Sequence, residues 1–249
     1  MIIDLTHLIK PGMPVYPGTP GPVFEKPFTI ESAGFAETLF TMTSHTGTHA
    51  DAPAHIFEKG LSLSELDLNR FIGPGVVLDC SGPADISCSN MSSTALMSGT
   101  ALMSGTALMS SIGSPAKIIG PQFILEKKDL LMGMEFILFY TGQSRLWPGP
   151  EYFNNFPVLS LEAIEALLGL NSSGVLKGLG FDTVSADLID NSNLENHRAL
   201  LKNNVIIIEN LTNLDKLVNR PFELNVIPMK ADFSDGAPVR AFARVNKDF

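Results

Sequence analysis

Ser44-His45-Thr46-Gly47-Thr48-His49-Ala50-Asp51-Ala52-Pro53-Ala54-His55-Ile56-Phe57 gathers three of the chain's five histidines, and one aspartate, within eleven residues. Neutral imidazoles with a carboxylate are the ligand set that Zn²⁺ and Mn²⁺ favour. His45, Gly47, His49, Asp51, Pro53 and His55 all fall on odd positions, so an extended backbone turns them to one side. A helix also aligns His45 with His49, but Gly47 and Pro53 are poor helix-interior residues and Asp51 then points elsewhere. The stretch is expected to be an extended segment breaking into a loop. The alternative to metal binding is a structural hydrogen-bond cluster, which the mutual spacings and the room left by Gly47 make hard to justify by packing.

Composition bounds what surrounds this cluster. The chain has 249 residues, 45% hydrophobic and 17% charged, enough to bury a sizeable core. A formal charge of -9 without a Lys/Arg cluster argues against nucleic acid or an anionic membrane surface as partner and favours a small molecule. No apolar run approaches the roughly 18 to 20 residues of a membrane span, and Asp4 lies too early for a signal-peptide apolar region. A cytoplasmic location is expected. Cys80 and Cys88 read as free thiols or small buried hydrophobes.

Along the chain, a short opening strand precedes a Pro/Gly-rich loop from Lys10 to Gly21 around Val15 and Tyr16. Glu37 to Ser44 alternates as a strand running into the histidine cluster, and Ser62 to Arg70 reads as one short helix or turn. Gly75 to Cys80, Phe136 to Thr141, Leu179 to Val184 and Val205 to Ile208 are buried strand candidates. Ser160 to Leu168 has the spacing of an amphipathic helix with Ser160 as N-cap, and Leu194 to Lys202 reads as another helix. Strands and helices alternate without a regular βαβ period, and no glycine-rich phosphate loop follows a strand. A compact α/β or α+β domain follows. From Thr94 to Ser110 the chain repeats Thr-Ala-Leu-Met-Ser three times around Gly99 and Gly105. That period is too short for a solenoid and reads as an insertion at about 91–111.

A second donor pair is His197 with Glu209. Glu209 ends the apolar run Val205-Ile-Ile-Ile-Glu209, where an unpaired buried carboxylate costs roughly several kcal/mol unless a cation is near. The residue pattern alone also allows a strand-end carboxylate in water and a surface helix histidine.

Taken together, these motifs resemble those of the bacterial cyclase family of metal-dependent hydrolases, which includes kynurenine formamidase and isatin hydrolase. His45 to His55 matches the family's His-x-Gly-Thr-His-x-Asp-x-Pro-x-His signature at every fixed position. The similarity extends to Ile3-Asp4-Leu5-Thr6, Met13 to Gly18, Tyr140-Thr-Gly142, Gly180 to Ser185, His197, Glu209-Asn-Leu211 and Gly236 to Arg240. The resemblance implies a single swivelling β/β/α domain over residues 1–249, usually at least dimeric, here a homodimer or homotetramer. It implies two divalent metal ions, Zn²⁺ or Mn²⁺, with His45 and His49 on one, Asp51 bridging, and His197 and Glu209 completing the second. His55 is then the general acid/base, and metal-bound hydroxide attacks a small linear or cyclic amide. Arylformamidase is the leading activity, isatin-type ring opening the second, and metal binding without catalysis the third. Tyr16 stands where formamidases carry a tryptophan beside the substrate, so it is expected either to stack on substrate or to pack the loop. The repeat and Trp147 to Phe153 suggest a different pocket wall. His7 is expected to be structural, and Arg240 to form a structural ion pair rather than bind a substrate carboxylate.

Overall fold

The computed structural model describes residues 1–82, 117–170, 175–232 and 234–245. The repeat and Cys88 lie outside them. In chain order the strands are β1 (Ile2–Asp4), β2 (Val23–Phe28), β3 (Glu37–Thr41), β4 (His49–Asp51), β5 (Ile72–Asp79), β6 (Ile118–Ile119), β7 (Phe136–Tyr140), β8 (Val158–Leu159), β9 (Gly178–Phe181), β10 (Ile206–Glu209), β11 (Phe222–Asn225), β12 (Gly236–Pro238) and β13 (Phe242–Arg244). The helices are α1 (Ile30–Ala33), α2 (Pro121–Glu126), α3 (Lys128–Leu131), α4 (Leu161–Leu170) and α5 (Glu195–Lys202). None of these is long and apolar enough to cross a membrane.

Nine strands form one mixed sheet in the order β1-β13-β11-β5-β7-β9-β10-β4-β12. Its centre, β5-β7-β9-β10, is parallel, and the strands outside it pair antiparallel. Central parallel strands bury both faces, which is why Phe136–Tyr140 and Ile206–Glu209 are buried throughout. Period two divides them: Phe136, Leu138, Ile206 and Ile208 enter one apolar layer, while Ile137, Phe139 and Ile207 enter the other. The second layer packs under the helices, against Phe123 and Ile124 of α2, Ile164 and Leu167 of α4, and Leu200 and Leu201 of α5. Each fully buried Leu, Ile or Phe there contributes about 1.5 to 3 kcal/mol of burial free energy. Ser160 caps α4 as expected, its hydroxyl accepting the Ala163 N–H.

The first layer is enclosed by the sheet itself. β12 and β13 stand seven strand spacings apart, roughly 34 Å in a flat sheet, yet Pro238 and Phe242 are joined by a link that spans at most ~14 Å. The sheet must curl until its ends approach. Thr6, just after edge strand β1, accordingly bridges Leu211, just after β10. Crowding on the concave side explains the Gly178-Leu-Gly-Phe sequence of β9. A Cβ on Gly180 would stand 2.3 Å from Leu138 Cδ2, and one on Gly178 would stand 2.8 Å from Ile206 Cγ1. The expected β/β/α architecture is present.

Some local expectations change. The histidine stretch is not one extended run: Gly47 turns at φ +68°, β4 covers only residues 49–51, and Pro53–His55 is a 3-10 turn. Residues 62–70 hold turns and the start of the 3-10 helix Leu68–Phe71. β3 does not lead into β4 but closes a hairpin with β2, and every residue of both strands is exposed. Cys80 is a free, buried thiol, and burial pushes its ionisation up.

Candidate metal centre

Strand alternation in β4 buries Ala50 in the concave apolar layer and turns His49 and Asp51 to the opposite side. Antiparallel register then sets Glu209 of β10 directly across from His49, and Gly236 of β12 across from Asp51. The pairing brings donors from opposite ends of the sequence together: His49 Nε2 is 3.3 Å from Asp51 Oδ1 and 3.4 Å from Glu209 Oε2. His197, in the first turn of α5, points Nε2 at Glu209 Oε1 (3.3 Å) and Asp51 Oδ2 (3.7 Å). His45 Nδ1 lies 2.8 Å from Asp51 Oδ1. All five expected ligands therefore converge on Asp51 and Glu209. The expected division is less clean, because His49 faces Glu209 as closely as it faces Asp51.

Each histidine has its other ring nitrogen held from outside. His49 Nδ1 is 2.8 Å from the Gly47 carbonyl, which also accepts from Asn210 Nδ2 at 3.1 Å. His197 Nδ1 is 2.7 Å from Asp187 Oδ2, and Asp187 also accepts the backbone N–H groups of Asn196 and His197, both at 3.0 Å. Asp187 thus caps α5 and orients its histidine at once. His45 Nε2 is 3.0 Å from Asp235 Oδ2. Outer acceptors of this kind are what metal-ligating histidines require.

The donor set fits a cation. Both oxygens of Asp51 are buried and make no hydrogen bond, although imidazole nitrogens stand beside them. A buried carboxylate is costly unless positive charge faces it; protonated imidazoles supply that charge without metal, and once deprotonated the same nitrogens offer their lone pairs, with the Asp51 oxygens, to a metal cation. Nitrogen and oxygen atoms of His45, His49 and Asp51 lie within 4.8 Å of one another, as do those of Asp51, His55 and His197.

Without metal, the same carboxylates and imidazoles charge one another. Burial works against charge on His197, but the Asp187 hydrogen bond and the Glu209 and Asp51 charges push its imidazole up to about 10. Burial likewise opposes charge on His49, yet Asp51 and Glu209 raise it well above the usual range. Asp51, despite its burial, is held well below the ordinary carboxylate range by His45 and His49. His55 behaves oppositely: burial, together with the neighbouring His45 and His197, lowers it in spite of Asp51. The ring at the mouth is thereby kept neutral.

His55 reaches the mouth on the 3-10 turn Pro53–His55, its ring 4.1 Å from that of His45 and 5.8 Å from that of His197. The donors open into a cleft of about 250 Å³, lined by Pro14, Val15, Tyr16, Val184 and Leu194. Tyr16 lines this cleft, and its hydroxyl lies 3.5 Å from the Ile189 carbonyl. Trp147 to Phe153 does not line the cleft. It lies behind it, where the Tyr152 hydroxyl donates to Asn210 Oδ1 at 2.8 Å. His7 stacks on Trp147 at 4.2 Å, away from the donors, and Arg240 pairs with Asp4 at 2.8 and 3.0 Å, both as expected.

Sequence reasoning missed Asp187, Asn210 and Asp235. Asn210 was legible only as the neighbour of Glu209, Asp187 lies too far before α5 for a local cap signature, and Ser234-Asp-Gly236 reads as an ordinary turn.

The chain shares its fold with isatin hydrolase A from Labrenzia aggregata, solved with benzyl benzoate, at a TM-score of 0.77 and 24% identity, covering 99% of this chain and 94% of that one. It is 26% identical over 243 residues to the kynurenine formamidase of Bacillus mycoides (strain KBAB4), covering 97% of this chain and 96% of the relative. It is 28% identical over 245 residues to that of Geobacillus thermodenitrificans (strain NG80-2), covering 97% and 96%. The family model described as "Putative cyclase" matches residues 3–188, more than half of the chain and the whole of the His45 to His55 signature. The chain belongs to the cyclase family.

Proposed function

We propose that this protein is a metal-dependent hydrolase that cleaves the C–N bond of a small linear or cyclic amide, with an arylformamide as the leading substrate. The observation that carries this reading is Asp51, whose two buried oxygens lack any hydrogen bond in the middle of three histidines and Glu209. His45, His49, Asp51, His197 and Glu209 would hold two divalent ions, Zn²⁺ or Mn²⁺, with Asp51 serving both. When bound, such ions lower the pKa of water towards roughly 7 and place positive charge against a developing oxyanion.

The chain's own groups do the rest. Pro14 to Tyr16 and Val184 line the cleft, exclude water from the substrate and present an aromatic face to it. Asp187, Asp235 and the Gly47 carbonyl hold the three imidazoles so that no reorganisation is needed on binding. His55, neutral and at the mouth, first accepts a proton from the attacking water and then passes that proton to the leaving nitrogen, a role whose typical contribution is about 10²- to 10⁴-fold. A metal-binding protein without catalysis would need the ligands but not His55.

Residues 1–249 act as one domain in the cytoplasm, as a homo-oligomer. The β2–β3 hairpin supports the latter: Phe24, Phe28, Leu39 and Phe40 are exposed on two strands that bury nothing. A free two-stranded hairpin is marginal in water, and a second copy would cover it. Sedimentation of the wild type against Leu39→Glu tests this.

The activity is tested by chelator-sensitive hydrolysis of N-formylkynurenine and of isatin by the purified protein. Turnover of the first supports the leading substrate and turnover of isatin alone the second. Metal uptake with no turnover on a broad amide panel overturns the enzymatic reading.

A further inference from the structure

Asp235 enters the centre from the far end of the chain. Its backbone is pinned there, since the Asp235 carbonyl accepts the Ala52 N–H at 2.8 Å and the next residue, Gly236, pairs with Asp51. The side chain cannot drift with a loose loop. Its Oδ2 receives two imidazoles at once: His45 through Nε2 at 3.0 Å and His55 through Nδ1 at 3.4 Å. A carboxylate oxygen has lone pairs for both, and a nitrogen that donates to it must carry the proton. His55 is thereby left with its other nitrogen as the free lone pair, and a ring nitrogen of His55 lies within 4.8 Å of Asp51 and His197 donor atoms.

The neighbours do not duplicate this restraint. His55 is part-exposed and lies on a three-residue 3-10 turn, with Asp235 as the hydrogen-bond acceptor of its ring among the described residues. Without that acceptor the ring is free to rotate and to exchange tautomers, since a neutral imidazole has no intrinsic reason to hold its proton on Nδ1. His45 has a second restraint, its contact with Asp51, so loss of Asp235 falls more heavily on His55.

We propose that Asp235 is a positioning residue that fixes the tautomer and direction of His55, and that it acts on proton transfer through His55 rather than on the substrate. This rests on the hydrolase reading for its catalytic consequence, but its structural part stands apart from it.

Two measurements test it on the full-length protein. In the first, long-range ¹H–¹⁵N spectra of metal-free, histidine-labelled protein report tautomers directly. The wild type is expected to show His55 protonated on Nδ1, Asp235→Ala to show a mixture at His55, and Asp235→Asn, whose amide oxygen still accepts, to restore most of the wild-type pattern. An unchanged His55 signal in Asp235→Ala overturns the proposal. In the second, metal-loaded proteins are compared on formanilide, whose leaving nitrogen needs a proton, and on phenyl formate, whose phenoxide does not. Asp235→Ala is expected to lose about 10- to 100-fold in kcat on formanilide at unchanged KM, less than the roughly 10²- to 10⁴-fold of losing the acid/base outright, and to keep most of its ester turnover. Equal loss on both substrates, with loss of bound metal, assigns Asp235 to the metal site and overturns the proposal. A wild type inactive on both these substrates and on the broad amide panel, isatin included, removes the hydrolase reading, while the tautomer spectra still decide the role of Asp235.

Discussion

The imidazole of His45 lies against the backbone of Gly236: a Cβ built on Gly236 would stand 2.6 Å from His45 Cε1 and 2.9 Å from Nε2. No side chain can occupy position 236 while His45 keeps its place beside Asp51. Gly236→Ala is expected to displace His45 and weaken metal binding by about 10- to 100-fold, the range seen when a ligand's support is removed. Chelator-competition titration reads this, and wild-type affinity in the variant would place His45 outside the metal centre.

Asp51 and His55 are expected to separate metal binding from turnover. Asp51→Ala removes the two buried oxygens on which the donors converge and should empty the centre. His55→Ala should retain metal and lose about 10²- to 10⁴-fold in kcat. Elemental analysis beside steady-state kinetics checks both, and full occupancy in Asp51→Ala would contradict its bridging role.

Asp187→Ala should cost both a helix cap and the restraint on His197. Stability is expected to fall by about 1 kcal/mol from the cap and metal affinity by about 10- to 100-fold from the freed ring. Asp187→Asn keeps an acceptor and should show the smaller loss in each. Denaturant melts and metal titrations of the two variants distinguish the contributions.

Removing metal should lower thermal stability, because the ions bind the folded chain and not the scattered donors of the unfolded one. At free metal 100-fold above Kd the folded state gains about 2.7 kcal/mol. Calorimetry with chelator, and again after Zn²⁺ or Mn²⁺ is restored, is expected to show a reversible shift of about 2 to 4 °C for each kcal/mol. Identical melting in both states would count against occupancy of the centre.

His7 predicts a pH dependence unconnected with catalysis. Burial beside Trp147 lowers its imidazole to about 4, against about 6.5 in an unfolded chain. Between those values the unfolded state binds a proton that the folded state refuses, so its contribution is complete above pH 6.5 and is lost as pH falls towards 4. His7→Phe preserves the stack on Trp147 and removes the proton. Its unfolding free energy should fall less than that of the wild type between pH 7 and pH 4.5, and parallel pH profiles would refute the assignment.

The legible parts of the fold share one property: their signal is local. Phe136 to Tyr140 and Val205 to Ile208 are apolar runs that only buried strands accommodate, and Ser160 with its helix is a short-range cap and period. The exposed β2 and the short β11, β12 and β13 escaped because short or mixed segments carry little apolar pattern, and their pairing is set by partners distant in sequence. The same division runs through the site. His45, His49, Asp51 and His55 announce themselves within eleven residues, whereas Asp235 reads as a turn until pairing of β12 with β4 brings it to His45.

By itself, then, the sequence determined the chemistry of this protein: a dense imidazole and carboxylate set, alternation that puts His49 and Asp51 on one side of β4, and a strand ending in Glu209. Only the tertiary structure decided how those groups meet. Antiparallel register places Glu209 opposite His49 and Gly236 opposite Asp51, against His45, and Asp187 and Asp235 fix the rings. The reason is physical: backbone hydrogen bonding is indifferent to which residues face each other, so register follows from burial of whole strand faces and closure of the sheet, which no short window of sequence contains.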